Sequence, residues 1–548
     1  MTTDMGQRTF WRWLGAIVIA GALLRLPLLG SVPPPMYIDE YSNGYDAYSI
    51  LLTGNDQHGV RYPLFFRALD DYRTPLHIYM SVPVTMVFGF GEMQTRLPYA
   101  LCGILAILAA GCIGQTLLGP REGLFTAALT ALSPWDVQFG RMALTHPIPL
   151  TALIPLGLCL LISGVRGRPR RLVAGFVVMA LSLYSYPTAA LFVPLLLLGF
   201  GIIARHSLLR DRRHLGIGIA VFVVLALPIY SPWMLPQTTA RFSQVSIHNV
   251  DAPVLMAERL GSALGEWARP LGLPLAIASN YISSFSPRFL FVNGDPNLWH
   301  SPRGIGQLHI VEAPFILAGL ISLINGRRRR DRLLLLWLFI GPLPAAFTQW
   351  GGYHAGRLLV WLPALHLTAA RGITSLLHRI DGKRYPLFIP IIALASLISM
   401  VVFLDTYFVR YPEDVLAQYR YRVGQGTALR IAGDVVGPDG KVHVPPFTMI
   451  GSNIVQAYEY DIAPHLEAPP FLIVTSPNEC TFLDASSDEL ASDVFIIAPM
   501  QPFLDPELPF RLPPDCEPKA HGFVEVGRVR YSNDVPSHFI FKASGPEK

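Results

Sequence analysis

The chain has 548 residues, of which 51% are hydrophobic and only 15% charged, against about 25% charged residues in soluble domains. That balance excludes an ordinary soluble globular protein and implies an integral membrane protein. The formal net charge of +5 is small, and the basic runs lie between apolar stretches without interleaved aromatics, so no nucleic acid partner is expected.

A membrane-crossing helix needs about 20 mostly apolar residues. In chain order such stretches fall at 12–30, 97–117, 122–139, 147–163, 172–187, 189–204, 215–234, 309–325, 333–350, 358–376 and 386–404, which predicts about eleven transmembrane helices. The first is read as uncleaved, because Val32 to Pro35 (VPPP) follows it instead of a small-residue cleavage site.

Basic clusters set the orientation. Arg8 and Arg12 precede the first stretch; Arg166, Arg168, Arg170 and Arg171 follow the fourth; Arg205, Arg210, Arg212 and Arg213 follow the sixth. Arg327 to Arg330 with Arg332 follow the eighth, and Arg379, Lys383 and Arg384 the tenth. All share one side if Pro75–Phe90 lies in the outer interface without crossing, and the positive-inside rule then makes that side cytoplasmic.

By parity, 31–96 is a first outer loop, 235–308 a long outer loop, and 405–548 an extracytoplasmic tail. In the tail, Tyr411–Gly433 reads as an amphipathic helix, and Lys441–Pro445, Phe471–Thr475, Asp493–Ile497, Gly522–Tyr531 and His538–Lys542 read as strands, predicting a small α+β domain. Cys102, Cys112 and Cys159 sit in apolar stretches as packing residues. Cys480 and Cys516 fall in the tail, where a disulfide between them is permitted.

The polar residues that stand out gather on the outer side. The first loop carries Asp39, Glu40, Asp46, Asp70, Asp71 and Arg73; a short loop carries Arg141 and His146. Tyr184 and Tyr186 end the fifth stretch, Phe289–His300 (FLFVNGDPNLWH) and Arg303 belong to the long loop, and His354–Arg357 (HAGR) follows the ninth stretch. Each has an ordinary reading taken alone: a solvated loop charge, a snorkelling arginine, an interfacial tyrosine, or, for Asn293–Pro296, a turn. Their shared side is what argues for a site. Arginine suits phosphate oxygens, while carboxylates accept protons or hold cations. Such a rim suits a substrate that is half lipid and half anionic head group.

At these residues the chain resembles the GT-C superfamily of glycosyltransferases, of the protein O-mannosyltransferase and lipid A aminoarabinose transferase type. The matching stretches are Tyr37–Glu40 (YIDE), Asp71–Leu76 (DYRTPL), Phe88–Glu92 (FGFGE) with Thr95–Pro98 (TRLP), Leu132–Arg141 (LSPWDVQFGR), Leu181–Pro187 (LSLYSYP), Phe289–His300 and His354–Arg357. They run in order over about residues 10–400. Trp299 departs from the pattern, standing where relatives often carry Arg.

The resemblance implies an α-helical polytopic membrane fold and a polyprenyl-phosphate-linked sugar donor. It implies transfer to an envelope acceptor outside the cytoplasmic (inner) membrane, with residues 1–404 as the catalytic module. Carried over, Asp39 is the catalytic base and Glu40 its acidic partner. Arg141, Arg357, His354, His300, Arg303 and Tyr184 contact the donor phosphate. Asp71 and Glu40 are the positions for a divalent metal, Mg or Mn. The rival classes are a flippase for lipid-linked sugars, which would more naturally show internal repeats and midplane charges, and a non-catalytic envelope-assembly subunit.

Overall fold

The computed structural model describes residues 6–34, 36–68, 71–144, 147–231, 235–379 and 385–419, and beyond these 431–432, 434–436, 441–444, 472–475, 494–497, 523–530 and 536–543. Asp70, His146, Cys480, Cys516 and the second half of the predicted helix over 411–433 lie largely outside the described residues.

The chain opens with α1 (Gln7–Arg25), α2 (Ile38–Thr53), the hairpin β1 (Phe66–Ala68) and β2 (Asp71–Arg73), then α3 (Leu76–Phe88). The helical body follows: α4 (Glu92–Leu117), α5 (Pro120–Leu132), α6 (Pro134–Gly140), α7 (Ile148–Val165), α8 (Pro169–Ser182), α9 (Ala189–Leu208), α10 (Arg212–Tyr230) and α11 (Leu235–Val245). Next come α12 (Asp251–Leu264), α13 (Gly272–Ser283), α14 (Ala313–Ile324), α15 (Arg329–Ile340), α16 (Leu343–Ala346), α17 (Ala355–Leu358), α18 (Leu362–Arg379), α19 (Tyr385–Asp405) and α20 (Tyr411–Tyr419). Proline opens α5, α6 and α8 at positions 120, 134 and 169, where its missing N–H is no loss. Two compact units result: Met1–Leu29, Pro63–Met80 and Arg96–Phe408 form one, and Gly30–Tyr62, Ser81–Thr95 and Val409–Lys548 the other.

A helix stands on each of the eleven apolar stretches, but two stretches are interrupted. The predicted span 122–139 breaks at Ser133, whose hydroxyl caps α6 by accepting from the Asp136 N–H. The span 333–350 ends as a long helix at Ile340, before Gly341, Pro342 and Pro344. Among the described residues four helical segments are long and apolar enough to cross a membrane: Glu92–Leu117, Ile148–Val165, Ala189–Tyr230 and Pro390–Val415. The third comprises both α9 and α10. The Tyr230 hydroxyl donates to the Ala190 carbonyl at 2.6 Å, so α10 folds back along α9. Tyr184 pins the same hairpin by donating to the Leu225 carbonyl at 2.5 Å. Leu198, Val224, Leu317 and Leu397 point outward, each well exposed, as lipid-facing side chains do.

In the first unit the helices approach closely through small residues, as membrane helices do. A Cβ on Gly319 of α14 would collide with the Thr368 carbonyl of α18, and one on Gly372 of α18 with the Phe315 carbonyl of α14. A buried ion pair fastens α1 to the α5–α6 corner. Arg25 Nη2 donates to Asp136 Oδ1 at 2.6 Å, and the same guanidinium reaches the carbonyls of Thr130 and Ala131. Both side chains are fully buried.

In the second unit α2 packs Tyr48 against Phe90, with ring centroids 4.9 Å apart. The tail supplies β3 (Lys441–Val444), β4 (Leu472–Thr475), β5 (Val494–Ile497), β6 (Phe523–Arg530) and β7 (Pro536–Ala543). They form one sheet in the order β4-β3-β5-β7-β6, parallel at β4, β3 and β5 and antiparallel from β5 onward. All five strand segments read from the sequence are present, and Val442 and Ile540 are fully buried within the unit.

Candidate functional site

The best-formed polar cluster lies where the long-loop segment 289–300 meets the turn before α17, within the first unit. The segment coils by two successive side-chain turns. Asp295 Oδ1 accepts from the Asn297 N–H at 2.8 Å, and Asn297 Oδ1 accepts from the Trp299 N–H at 3.1 Å. Asn and Asp favour such turns because their short side chains reach their own backbone two residues on. The coil brings His300 back over Asp295: His300 Nδ1 lies 2.8 Å from Asp295 Oδ2. A carboxylate only accepts hydrogen bonds, so Nδ1 carries a proton directed at Asp295.

Asp295 Oδ2 also accepts the Ala355 N–H at 2.8 Å. One carboxylate therefore joins the two loops. His354 caps α17 by accepting the Arg357 N–H at 3.3 Å on Nδ1, and its ring centroid is 4.6 Å from that of His300. Phe139 stacks on His300, and the Trp135 indole N–H donates to the Ala355 carbonyl at 3.2 Å. Gln138 Nε2 holds the Trp299 carbonyl at 2.9 Å. The LSPWDVQFGR motif thus forms the wall behind the two histidines.

Among the described residues, Asp295, His300 and His354 are the group with metal-ligand chemistry, their ligand atoms all within 4.8 Å of one another. Two imidazoles and a carboxylate are a zinc-type donor set, whereas magnesium and manganese prefer oxygen ligands.

The other sequence candidates are placed as follows. Arg357 is buried and donates from Nη1 to Thr348 Oγ1 at 2.9 Å and to the Gln349 carbonyl at 2.7 Å. Arg141 is fully buried. It closes the C-terminal end of α1 by donating to the carbonyls of Leu24, Arg25 and Leu28 at 3.0–3.2 Å, with Phe408 and Tyr407 rings beside its guanidinium. The Tyr184 hydroxyl is held in the helix hairpin. Arg303 is exposed, and Asp71 lies in β2 opposite Ala68.

Asp39 and Glu40 belong to the second unit, in the first turn of α2. Glu40 is fully buried, and its Oε2 accepts the Tyr37 N–H at 2.9 Å, a capping interaction. Asp39 is half-exposed. Asp46 holds Gln57 through both carboxylate oxygens.

Sequence reasoning missed Asp295, which reads as part of a turn, and the Arg25–Asp136 pair. It also missed the buried Glu312 and His366, 3.8 Å apart. The signal for Asp295 was its i,i+5 spacing to His300 in a segment already singled out.

Residues 72–233 match the dolichyl-phosphate-mannose-protein mannosyltransferase family. No curated protein matches the chain. Among solved structures it is similar to ArnT from Cupriavidus metallidurans bound to undecaprenyl phosphate, with 14% identity and a TM-score of 0.54 over 98% of this chain and 99% of that one. The apo form of that protein gives 14% identity and 0.53 over 97% and 98%. The Archaeoglobus fulgidus oligosaccharyltransferase in its apo form gives 13% identity and 0.50 over 90% of this chain and 70% of that one. At this identity the structures establish the fold, and the family match supplies the sequence pattern. Residues 72–233 thus carry the sequence pattern of that mannosyltransferase family, and the chain as a whole shares the fold of these structures.

Proposed function

We propose that the protein is an inverting glycosyltransferase of the cytoplasmic membrane. In this reading it crosses the membrane about eleven times and moves a sugar from a polyprenyl-phosphate donor to a hydroxyl of an envelope acceptor on the outer face. Lipid A, a polysaccharide, a glycolipid and a protein all offer such a hydroxyl. The observation that carries the reading is the likeness along nearly the whole chain to a protein crystallised with undecaprenyl phosphate, joined to the family match over 72–233.

A sugar phosphate ester already has a good leaving group, so no general acid is required, unlike in glycoside hydrolysis. The acceptor oxygen attacks the anomeric carbon while the carbon–oxygen bond to phosphate breaks on the opposite face. The hydroxyl proton passes to Asp39, and the polyprenyl phosphate leaves. Arg357, His300, His354 and Arg303 are assigned to the phosphate, where positive charge and N–H donors are needed. Tyr184 and Arg141 act in this reading by holding the α9–α10 hairpin and the end of α1. A divalent ion, when bound, would be held by His300 and His354 with Asp295, and would supply positive charge and tie the two loops together. Metal analysis of the purified protein tests that part, with zinc as the expected metal.

The test is transfer from a labelled polyprenyl-phosphate sugar in proteoliposomes, with mass spectrometry of envelope glycans identifying the acceptor. Loss of a positioned base lowers a rate by about 10² to 10⁴, so Asp39→Asn should abolish transfer while the protein still inserts. Normal turnover by that variant would remove Asp39 from the mechanism. A change in donor sidedness with no new glycosidic bond would mean a flippase.

A further inference from the structure

A second feature of the first unit is not used by the proposed chemistry. A cavity of about 480 Å³ opens between α12, α13 and the turn after α16, within the range of roughly 300–1,000 Å³ for small-molecule sites. Its rim carries the Trp350 indole, the Asp251 carboxylate, the Asn249 and Gln349 amides and the Ser279 hydroxyl. Among the described residues no Lys, Arg or His lines it.

Trp350 is the informative residue. Its φ is +51°, a left-handed conformation that bulky residues avoid, and its side chain is 77% exposed. The two glycines after it have no room for a side chain: a Cβ on Gly351 would collide with the Ala345 carbonyl, and one on Gly352 would press into Asn280 and Ser283. Asn280 Nδ2 clamps the same turn by donating to the carbonyls of Ala346 and Thr348 at 3.2 and 2.8 Å. A rigid, close-packed turn therefore holds a large aromatic ring in a strained, exposed position at the mouth of a cavity of mixed polar and apolar lining. Strain that the surroundings enforce is a marker of a functional position.

The lining selects the ligand class. Without a basic residue it does not suit a phosphate or an acidic lipid head group; its polar side chains alternate with Ile247, Val250, Ala252, Met256 and Ala276, so it suits a ligand with polar edges and apolar faces rather than a bare acyl chain. A carboxylate, two amides and a hydroxyl pair with groups that both donate and accept, and an indole face packs against an apolar C–H surface. A sugar ring offers both. We propose that this cavity binds a neutral or amino sugar ring, stacked on Trp350 and held through its hydroxyls by Asp251 and the amides. That this sugar belongs to the acceptor rests on the transferase reading; the binding itself does not. Gln349 of the cavity rim also meets Arg357, whose Nη1 donates to its carbonyl at 2.7 Å.

The test uses the full-length protein in nanodiscs and a panel of methyl hexosides, methyl glucosaminide and their disaccharides, followed by saturation-transfer NMR without donor. At least one saccharide should bind saturably. Trp350→Ala should weaken that binding about tenfold or more, as loss of a central aromatic contact does. Trp350→Tyr should retain most of it, and the bulky Ser279→Tyr should block it. Absence of binding across the panel, or binding indifferent to Trp350→Ala and Ser279→Tyr, overturns the proposal. In transfer assays Trp350→Ala should raise the acceptor KM and leave the donor KM unchanged; the reverse would overturn the acceptor assignment. Saccharide binding without any transfer would refute the transferase reading and leave the sugar site standing.

Discussion

Replacing Asp295 by Asn keeps the shape of the side chain and turns one of its oxygens into an NH₂ group that can only donate. In the structure both oxygens face donors. Oδ1 accepts from Asn297 N–H, and Oδ2 accepts from His300 Nδ1 and from Ala355 N–H, all at 2.8 Å. The better amide orientation keeps its oxygen toward His300 and Ala355 and turns the NH₂ against the Asn297 N–H. A hydrogen bond to a charged group contributes about 1.5–3 kcal/mol and a neutral one about 0.5–1.5 kcal/mol. One bond lost and two weakened then cost about 4 kcal/mol, close to a thousandfold in the population of the joined loops. The carboxylate is largely buried at 7% exposure, so water does little to replace these bonds. Transfer by Asp295→Asn in proteoliposomes should fall by about 10² to 10³, with a lowered thermal midpoint in detergent. If rate and midpoint both stay within about twofold and one degree of wild type, Asp295 does not pin the site and the loop-junction argument fails.

Three other perturbations test the frame around the site. Asp136→Ala leaves the buried Arg25 guanidinium without its 2.6 Å partner, which should cost about 3–5 kcal/mol and reduce the monodisperse fraction on gel filtration; Arg25→Met combined with Asp136→Leu should restore it. Gly319→Leu should separate α14 from α18, since even a Cβ meets the Thr368 carbonyl, and the variant should be recovered in low yield while Gly201→Leu, at a position open to space, is recovered normally. His77, outside the crossing segments, is held down to about 3 by burial first and by the neighbouring Arg73 charge second. Because its folded pKa lies below the ordinary 6.5, its neutral form stabilises the fold above that pH, and the contribution is lost as pH falls from about 6.5 toward 3. Thermal scans from pH 7.5 to 4.5 should therefore show a steeper loss in wild type than in His77→Leu, and parallel profiles would exclude this cause.

How much of this was legible in the sequence depended on which physical signal carried each feature. Apolar length marked the helices that stand on the eleven apolar stretches, and alternation marked the tail strands, whereas α2 and α11 to α13 were not marked. Helix ends inside apolar stretches were not found, because Ser133 and the Gly341–Pro344 run break helices without introducing charge into the stretch. Long-range pairing was invisible: nothing near Arg25 names Asp136 as its partner, 111 residues on. Asp295 was hidden by a signal with two meanings, since Asn-Gly-Asp-Pro is a turn and this turn also aims a carboxylate.

Asp39 and Glu40 show the same limit at its smallest scale. Spacing alone treats two adjacent carboxylates as equivalent, yet on a helix of 3.6 residues per turn they point about 100° apart. Glu40 falls at the third position of α2, where its side chain turns back to the Tyr37 N–H and is buried. Asp39 points to another face and is half-exposed. The direction of a side chain at a helix start, which residue counting does not record, thus favours Asp39 over Glu40 as the carboxylate of the pair that a substrate can reach.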